Sequence, residues 1–295
     1  MRNDYHGGNN VKNDAIIGVL DVLRCPICTD PLVAENGGAS LVCLPKKSCG
    51  KRHCFDRAKS GYVNLDARHA GGGDNKELVR ARTAFLESGA YEPISDKVNE
   101  LLVRYSPTGT VIDAGCGEGY YTNRAALLLP QLRLLGFDLS KAAIDAATRS
   151  AMNKGSTAAF AVGGIFDLPV KDCCASAVIS LFAPCAETEF LRVLKPGGIL
   201  IVAGAGEDHL LGLKRAIYDT PYRNTPRADL PIGMHLLTEE RLTYTARLDS
   251  GETIKSLFSM TPYAFRTSKQ DMEKLNALEA LETEIDVFLS VYEKR

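Results

Sequence analysis

Residues 111–121 read VIDAGCGEGYY, and this stretch decides the fold of the chain around it. Apolar residues lead to Asp113, and glycines follow at positions 115, 117 and 119. Glycine permits positive φ angles and lets a ligand approach the backbone closely. The helix that follows would offer unpaired N–H groups and the positive end of its dipole. The pattern therefore predicts a buried strand, a tight turn that can bind a ligand, and a helix.

The spacing of these glycines does not fit a dinucleotide-binding turn. That motif is G-x-G-x-x-G, and its third glycine would fall at Tyr120 when counted from Gly115 and at Thr122 when counted from Gly117. An acidic residue just before the alanine-glycine pair, here Asp113, instead suits S-adenosylmethionine (SAM), which carries a sulfonium and an amino-acid head. The alternative is a glycine-rich turn that binds no ligand.

Two further segments favour SAM. Residues 132–138 (LRLLGFD) form an apolar run that ends in Asp138, and a carboxylate at such a strand end is placed to accept both hydroxyls of a ribose. The alternative role of Asp138 is to cap the helix that begins near Ser140. In residues 193–203 (VLKPGGILIVA) a Pro-Gly-Gly turn separates a helix from a buried strand. This unit is common in Rossmann-like SAM-dependent methyltransferases.

Apolar segments alternate with helical patterns in the way that a doubly wound α/β sheet requires. The predicted strands lie near residues 110–114, 132–137, 158–162, 175–181 and 199–204, with a final strand at 283–292. Residues 77–105 read as helices that lead into the sheet. Residues 241–249 and 252–259 fit either two paired strands or a strand followed by a helix.

The composition is that of a globular intracellular enzyme. The chain has 295 residues, of which 45% are hydrophobic, enough for two domains with a sizeable core. No apolar run reaches the roughly 18 residues that a membrane span needs, and the polar first ten residues show no signal peptide. We therefore expect a cytoplasmic protein without membrane contact. Nine cysteines, an odd count, then favour reduced thiols and metal binding over disulfides.

Most of the candidate metal ligands lie in one short segment. Cys25 and Cys28 form a C-x2-C pair, and these two are followed by Cys43, Cys49, His53 and Cys54. Two close pairs separated by a loop match the four tetrahedral ligands of structural zinc. Cys49 and His53 form a C-x3-H pair, but pairing of Cys43 with Cys49 or Cys54 also fits. The alternative to a zinc site is a set of free thiols.

The sequence thus divides into four parts. We predict a flexible leader (1–20), a zinc-binding RNA-recognition module (21–66), a Gly-rich linker (67–76) and a SAM-dependent methyltransferase domain (77–295). The fold class is α/β, a Rossmann-like methyltransferase domain with a small N-terminal zinc-binding module.

Positive charge is concentrated in the zinc module. The net charge of the chain is −1, but residues 43–68 hold seven basic side chains against two acidic ones. The basic side chains are Lys46, Lys47, Lys51, Arg52, Arg57, Lys59 and Arg68. Such clustering is typical of a phosphate-binding surface and indicates RNA as a partner. The alternative is a solvated charged face.

Several runs together resemble bacterial 23S rRNA (guanine-N1)-methyltransferases, a family that includes housekeeping enzymes and a tylosin-resistance determinant. The resemblance covers about residues 22–292, and residues 52–65 are its most specific part. The runs are RHCFDRAKSGYVNL (52–65), RARTAFLESGAY (80–91), the 111–121 turn, LFAPC (181–185), VLKPGG (193–198) and DHL (208–210).

The resemblance implies methylation of N1 of a guanine in a 23S rRNA hairpin, with SAM and Zn²⁺ as cofactors and a homodimer as the assembly. It implies zinc ligands at Cys25, Cys28 and His53. For the remaining ligand the family's C-x3-H spacing selects Cys49, whereas the strand-like residues before Cys43 select Cys43 as the alternative.

For SAM, the resemblance implies contacts from Tyr91, from the loop around Cys116 and Gly117, and from His209. With the residues argued above, the candidate cofactor set is Tyr91, Asp113, Gly115, Cys116, Gly117, Asp138 and His209. Without the resemblance, Tyr91 and His209 read as a packing tyrosine and a helix-capping histidine.

No catalytic base can be selected from the sequence; Asp167, Glu118 and His209 are candidates by rough position only. Phe182 follows the fourth predicted strand, where it could stack on the target base or pack in the core. Two other functions explain part of the sequence. A SAM-dependent methyltransferase of small molecules would leave the basic zinc module unexplained, and a non-catalytic zinc-dependent RNA-binding protein would leave the SAM motifs unexplained.

Overall fold

The structure is a computed structural model that describes residues 14–44, 50–66, 74–225, 233–264 and 266–295. Near its N-terminus, strands β1 (Leu32–Glu35), β2 (Ser40–Cys43) and β3 (Cys54–Asp56) form a small antiparallel sheet in the order β1-β2-β3. A short strand, β4 (Val63–Asn64), follows and joins a different sheet.

Part of the predicted flexible leader is ordered, so the prediction is wrong for residues 14–19. Asp14–Val19 form a 3-10 helix, and the side chains of Ile16 and Val19 are buried. These two residues lie three positions apart, which places them on the same side of a 3-10 helix. The remainder of the leader that precedes residue 14 lies outside the described residues.

The large sheet has eight strands in the order β10-β11-β9-β8-β5-β6-β7-β4. The strands are β5 (Gly109–Ala114), β6 (Leu132–Asp138), β7 (Ala159–Val162), β8 (Ala175–Leu181), β9 (Leu194–Ala205), β10 (Met234–Leu248) and β11 (Leu281–Lys294). The helices are α1 (Lys76–Glu87), α2 (Glu92–Tyr105), α3 (Tyr120–Leu128), α4 (Lys141–Lys154), α5 (Glu187–Val193), α6 (Leu211–Ile217), α7 (Gly251–Ser259) and α8 (Lys269–Asn276).

This sheet confirms the predicted Rossmann-like α/β fold. Strands β4 to β9 pair in parallel, and β11 runs antiparallel to both β9 and β10. Residues 241–249 and 252–259 take the second of the two predicted forms, a strand followed by a helix. The helix begins there because Ser250 caps it by accepting a hydrogen bond from the Thr253 N–H at 3.1 Å.

The strand order places a ligand site at one edge of the sheet. Successive crossovers run outward from β5 to β6 and β7 on one side, and to β8 and β9 on the other. Where the direction reverses, the connections after neighbouring strands separate and leave a crevice at their carboxyl ends. The crevice lies between the ends of β5 and β8.

The zinc module and the large sheet are joined through their main chains. Val63 of β4 pairs with Ala161 of β7, and the Leu65 N–H donates to the Val162 carbonyl at 2.8 Å. A second connection forms where the Lys171 N–H donates to the Val22 carbonyl at 2.8 Å. The module therefore supplies the edge strand of the methyltransferase sheet. No helix among the described residues is both long and apolar enough to span a bilayer.

Candidate cofactor site and zinc centre

The glycine turn after β5 has the backbone geometry that its sequence predicted. Gly115 has a φ of 88° and Gly117 a φ of 55°, which are conformations that other residues rarely adopt. A Cβ atom at Gly115 would lie 2.9 Å from the Cβ of Ala183, which belongs to the loop after β8. Glycine is therefore needed here for the two loops to approach each other across the crevice.

Asp138 ties the end of β6 to this turn. One carboxylate oxygen accepts the Gly117 N–H at 3.1 Å, and the other accepts the Ser140 N–H at 2.8 Å. The cap of α4 is Ser140, whose hydroxyl accepts the Ala143 N–H. The capping role considered for Asp138 thus belongs to Ser140. Burial raises the pKa of Asp138.

Two further carboxylates are buried beside the turn. The Thr122 hydroxyl donates to Asp113 at 2.5 Å, and Asp113 is only 2% exposed. Burial raises its pKa to about 7. Glu118 is 6% exposed, and burial raises its pKa to about 7 as well, against the opposing effect of Arg82.

Tyr91 and His209 are held together deep in the crevice. The main-chain N–H of Asp286 donates to Nδ1 of His209 at 3.3 Å, and Nε2 of His209 lies 3.0 Å from the Tyr91 hydroxyl. Burial lowers the pKa of His209 to about 4, so the ring is neutral near pH 7. Because Nδ1 is an acceptor, the proton lies on Nε2 and is donated to Tyr91. The Tyr91 hydroxyl can then donate its own proton to another group.

Phe182 lies beside these two residues at the end of β8. Its ring stacks at 5.9 Å from the His209 ring and at 6.1 Å from the Tyr91 ring, measured between centroids. The side chain is 43% exposed, and its backbone has a φ of 53°, which is unusual for a phenylalanine. Phe182 therefore presents part of its ring to the crevice and is not a core residue.

All of these groups surround one cavity of about 1330 Å³. Six of the seven predicted cofactor residues line it, and Gly117 lies between two residues that do. Pockets for a single small molecule usually measure about 300–1,000 Å³. The donor and acceptor groups fit SAM, because carboxylates face a cationic ligand and aromatic rings can pack against its apolar parts. The remaining volume can hold part of a substrate.

The structure also brings in residues that the sequence analysis left out. Arg82 and Asp74 line the cavity and form an ion pair with each other. Arg82 belongs to the 80–91 run on which the resemblance was based, and that run was the signal that could have identified it. Asp167, in contrast, lies outside the cavity wall and pairs with Arg24 at 3.8 Å.

The zinc module gathers four metal-ligating side chains. The Sγ atoms of Cys28 and Cys43 are 3.6 Å apart, and Nδ1 of His53 lies 3.3 Å from Cys43 and 3.5 Å from Cys25. All four ligand atoms lie within 4.8 Å of one another. Tetrahedral zinc with bonds of about 2.0–2.3 Å requires ligand separations of this size. The set therefore fits zinc.

Local structure explains this grouping. Cys25 and Cys28 lie in the turn before β1, Cys43 ends β2, and His53 precedes β3. The Cys43 N–H donates to the His53 carbonyl at 3.1 Å, which brings their side chains together. Cys49 lies outside the described residues. Cys54 is exposed and does not belong to the cluster.

One member of the predicted basic surface is structural. The Arg57 side chain is buried, donates to the Gly38 carbonyl at 2.7 Å and pairs with Asp14 at 3.2 Å. Arg57 therefore does not contribute to an exposed basic surface, because its guanidinium is used to satisfy buried carbonyls. Lys51, Arg52 and Lys59 are exposed. The other basic residues, Lys46, Lys47 and Arg68, lie outside the described residues.

The fold and the cavity define a SAM-dependent methyltransferase with an N-terminal zinc ribbon. Residues 106–247 match the family model described as "Methyltransferase domain", and residues 23–66 match the zinc-ribbon model described as "RlmA, N-terminal". The cofactors are therefore SAM and zinc.

Comparison with curated proteins identifies the family. The chain is 30% identical to the 23S rRNA (guanine(748)-N(1))-methyltransferase of Streptomyces fradiae, over 87% of this chain and 90% of the relative. It is also 30% identical to a Bacillus subtilis (strain 168) protein provisionally named as a 23S rRNA (guanine-N(1)-)-methyltransferase, over 91% and 95% of the two chains. A solved structure, the YcgJ protein of Bacillus subtilis, is 17% identical with a TM-score of 0.46, over 67% of this chain and 97% of that one. The protein belongs to the 23S rRNA (guanine-N1)-methyltransferase family.

Proposed function

We propose that the protein transfers the methyl group of SAM to N1 of a guanine in a hairpin of 23S rRNA. The relatives named above, similar over nearly their whole length, carry the proposal. The cavity supports it, because its volume of about 1330 Å³ exceeds what one cofactor needs and it reaches the exposed ring of Phe182. The basic zinc module supplies a reason for RNA as substrate.

SAM supplies an electrophilic methyl group, so the main task of the protein is to hold guanine N1 in line with it. A base in a hairpin must leave its stack to enter a pocket of this kind. In our proposal the base stacks on Phe182. The base thereby displaces water from the face of the Phe182 ring that is exposed to the cavity.

N1 of neutral guanine carries a proton that must be lost when the methyl group is added. Either a base removes this proton, or donors stabilise the negative charge that develops at O6. His209 is unsuited to be the base, because burial lowers its pKa to about 4 and its Nε2 proton is bound to Tyr91. In our proposal Tyr91 acts as a donor, since its own hydroxyl proton can be given to a bound molecule.

The contacts proposed for SAM are the seven predicted residues, with Asp138 on the ribose hydroxyls. For zinc we propose Cys25, Cys28, Cys43 and His53, the set that lies within 4.8 Å. We also propose the division into module, linker and catalytic domain made from the sequence, and a homodimer in which two modules hold one hairpin. The proposed location is the cytoplasm, where the rRNA substrate is found.

Methyl transfer distinguishes this function from its alternatives. The protein would be incubated with radiolabelled SAM and either rRNA hairpins or a panel of small metabolites, and labelled RNA would be digested to nucleosides. We expect label in 1-methylguanosine. Label in a metabolite alone would favour a small-molecule methyltransferase, and SAM binding too weak to detect by calorimetry would favour a non-catalytic RNA-binding protein.

Replacement of Phe182 by alanine should impair methylation more than cofactor binding. Base–aromatic stacking contributes about 1–3 kcal/mol per base, so kcat/KM for RNA should fall by about 5- to 150-fold. SAM affinity, measured by calorimetry, should change little. Phe182→Tyr keeps the ring and serves as the matched control. An unchanged kcat/KM in Phe182→Ala would mean that the ring is only part of the cavity wall.

RNA affinity should fall steeply with salt, because each phosphate contact releases counterions. Changing Lys46, Lys47 and Lys51 to glutamate should weaken binding to a hairpin and flatten the plot of log affinity against log salt by about one unit per lost contact. Exposed lysines of the catalytic domain, Lys195, Lys255 and Lys269, provide the matched triple reversal. Equal effects of the two triple variants would argue against a specific role of the module.

A further inference from the structure

The part of the cavity wall around the glycine turn carries an excess of negative charge. Four carboxylates and one guanidinium belong to its wall: Asp74, Asp113, Glu118, Asp138 and Arg82. Arg82 cannot balance them all, since it already pairs with Asp74 and lies 3.6 Å from Glu118. Asp138 and Asp113 are partly compensated by hydrogen bonds from the glycine turn and from Thr122.

Glu118 differs from the other three carboxylates in having a buried oxygen that accepts no hydrogen bond from any described residue. Glu118 is 6% exposed, and among the described residues its Oε2 atom has no hydrogen-bond partner. Nη1 of Arg82 lies 3.6 Å from this atom, which is an ion pair beyond hydrogen-bond distance. A buried carboxylate oxygen without a donor costs free energy unless a ligand compensates it. Charged or titratable groups face it from several elements. They are Arg82 and Glu87 from α1, Asp74 before that helix, Asp113 of β5, Cys116 of the glycine turn, Tyr120 and Tyr121 of α3, and Asp138 at the end of β6.

SAM and its product differ by one positive charge. SAM carries a sulfonium, an ammonium and a carboxylate, a net charge of +1, whereas S-adenosylhomocysteine (SAH) has lost the sulfonium charge and is neutral overall. We propose that ionised Glu118 is the counter-ion that distinguishes SAM from SAH, and that binding of SAM releases a proton from Glu118 to the solvent. The inference rests on SAM as the cofactor of the proposed function.

The direction of the effect follows from the environment of Glu118. Burial raises its pKa to about 7, so a good part of the carboxyl is protonated near neutral pH. A cation stabilises the ionised form, and the proton therefore leaves as SAM binds. SAM affinity increases as pH rises through this pKa, while the neutral product gains nothing. Methyl transfer removes the positive charge and thereby weakens retention of the product.

Calorimetry with purified full-length protein tests the inference without any turnover. SAM and SAH would each be titrated at about pH 6 and about pH 7.5, in two buffers of different ionisation enthalpy to count protons. For a pKa of about 7 the ionised fraction rises roughly eightfold over this interval, and the affinity for SAM should rise in proportion. SAH affinity should stay within about twofold.

The variant Glu118→Gln keeps the shape of the side chain and removes its charge. We expect the variant to bind SAH like the wild type, to bind SAM more weakly at about pH 7.5, and to release no proton. Glu100→Gln, at an exposed glutamate of α2, is the matched control and should behave like the wild type. The affinity for SAH shows at the same time whether the variant has folded.

The outcomes separate this inference from the proposed function. If SAM and SAH bind the wild type with the same pH dependence, or if Glu118→Gln still releases the proton, the inference is wrong while SAM remains the cofactor. If neither molecule binds the wild type, the cofactor assignment itself fails, and the inference fails with it.

Discussion

Replacement of Gly117 by arginine is expected to abolish measurable SAM binding while the protein still folds. Gly117 has a φ of 55°, and a Cβ atom there would lie 3.2 Å from Nη1 of Arg82. The new side chain would have to extend into the cavity and add a second guanidinium beside the first. We expect a loss of about 3 kcal/mol or more, which is over 100-fold in affinity by calorimetry. Asp138→Ala should weaken SAM binding by about 1–3 kcal/mol.

Gly155 provides the matched control for backbone strain. It also has a positive φ, of 70°, but it caps the C-terminus of α4 and nothing lies within 4 Å of its position for a Cβ. Gly155→Arg should therefore lower the thermal stability to a similar extent and leave the affinity for SAM unchanged. Wild-type affinity in both Gly117→Arg and Asp138→Ala would place the cofactor elsewhere.

Loss of zinc is expected to unfold the N-terminal module and to abolish RNA methylation. Structural zinc contributes about 10–16 kcal/mol in small zinc domains, and the small β1-β2-β3 sheet has little core of its own. Elemental analysis should find about one zinc per chain in protein purified without added metal. Cys25→Ser and Cys43→Ser should lose the metal and most methylation, while SAM binding falls far less.

Two other cysteines make this test specific. Cys54 is exposed and lies outside the cluster, so Cys54→Ser should keep its zinc and its activity. Cys49→Ser tests the choice between Cys43 and Cys49 directly, because the ligand set proposed here predicts that this variant retains zinc. Zinc loss in Cys49→Ser but not in Cys43→Ser would show that Cys49 is the ligand. A wild-type protein that is folded but contains no zinc would show that there is no zinc centre.

The parts of the fold that could be predicted are those encoded by short local patterns. Buried parallel strands read as continuous apolar runs, and the five strands predicted between residues 110 and 204 all form. The turn at 115–119 was recognisable because glycine adopts positive φ angles at far lower cost than other residues. In the same way, the C-x2-C pair is visible because both ligands lie in one turn.

What the sequence did not reveal depends on contacts between distant segments. Arg57 counted as a surface charge, since nothing near it in the sequence shows that Asp14 and the Gly38 carbonyl surround its guanidinium. Arg82 is 36 residues away from Glu118, and only the fold brings them to 3.6 Å. Local patterns likewise could not show that Val63 and Asn64 would join the large sheet.

The pairing of β4 with the large sheet makes the metal important for solubility. β7 reads AFAV, all four residues are buried, and β4 covers its outer edge. If the module unfolds without zinc, β7 becomes the end of the sheet and exposes unpaired N–H and C=O groups beside apolar side chains. Such an edge is a template for pairing with other chains, and chelated protein should become turbid. We therefore expect zinc to protect from aggregation a part of the chain that does not bind it.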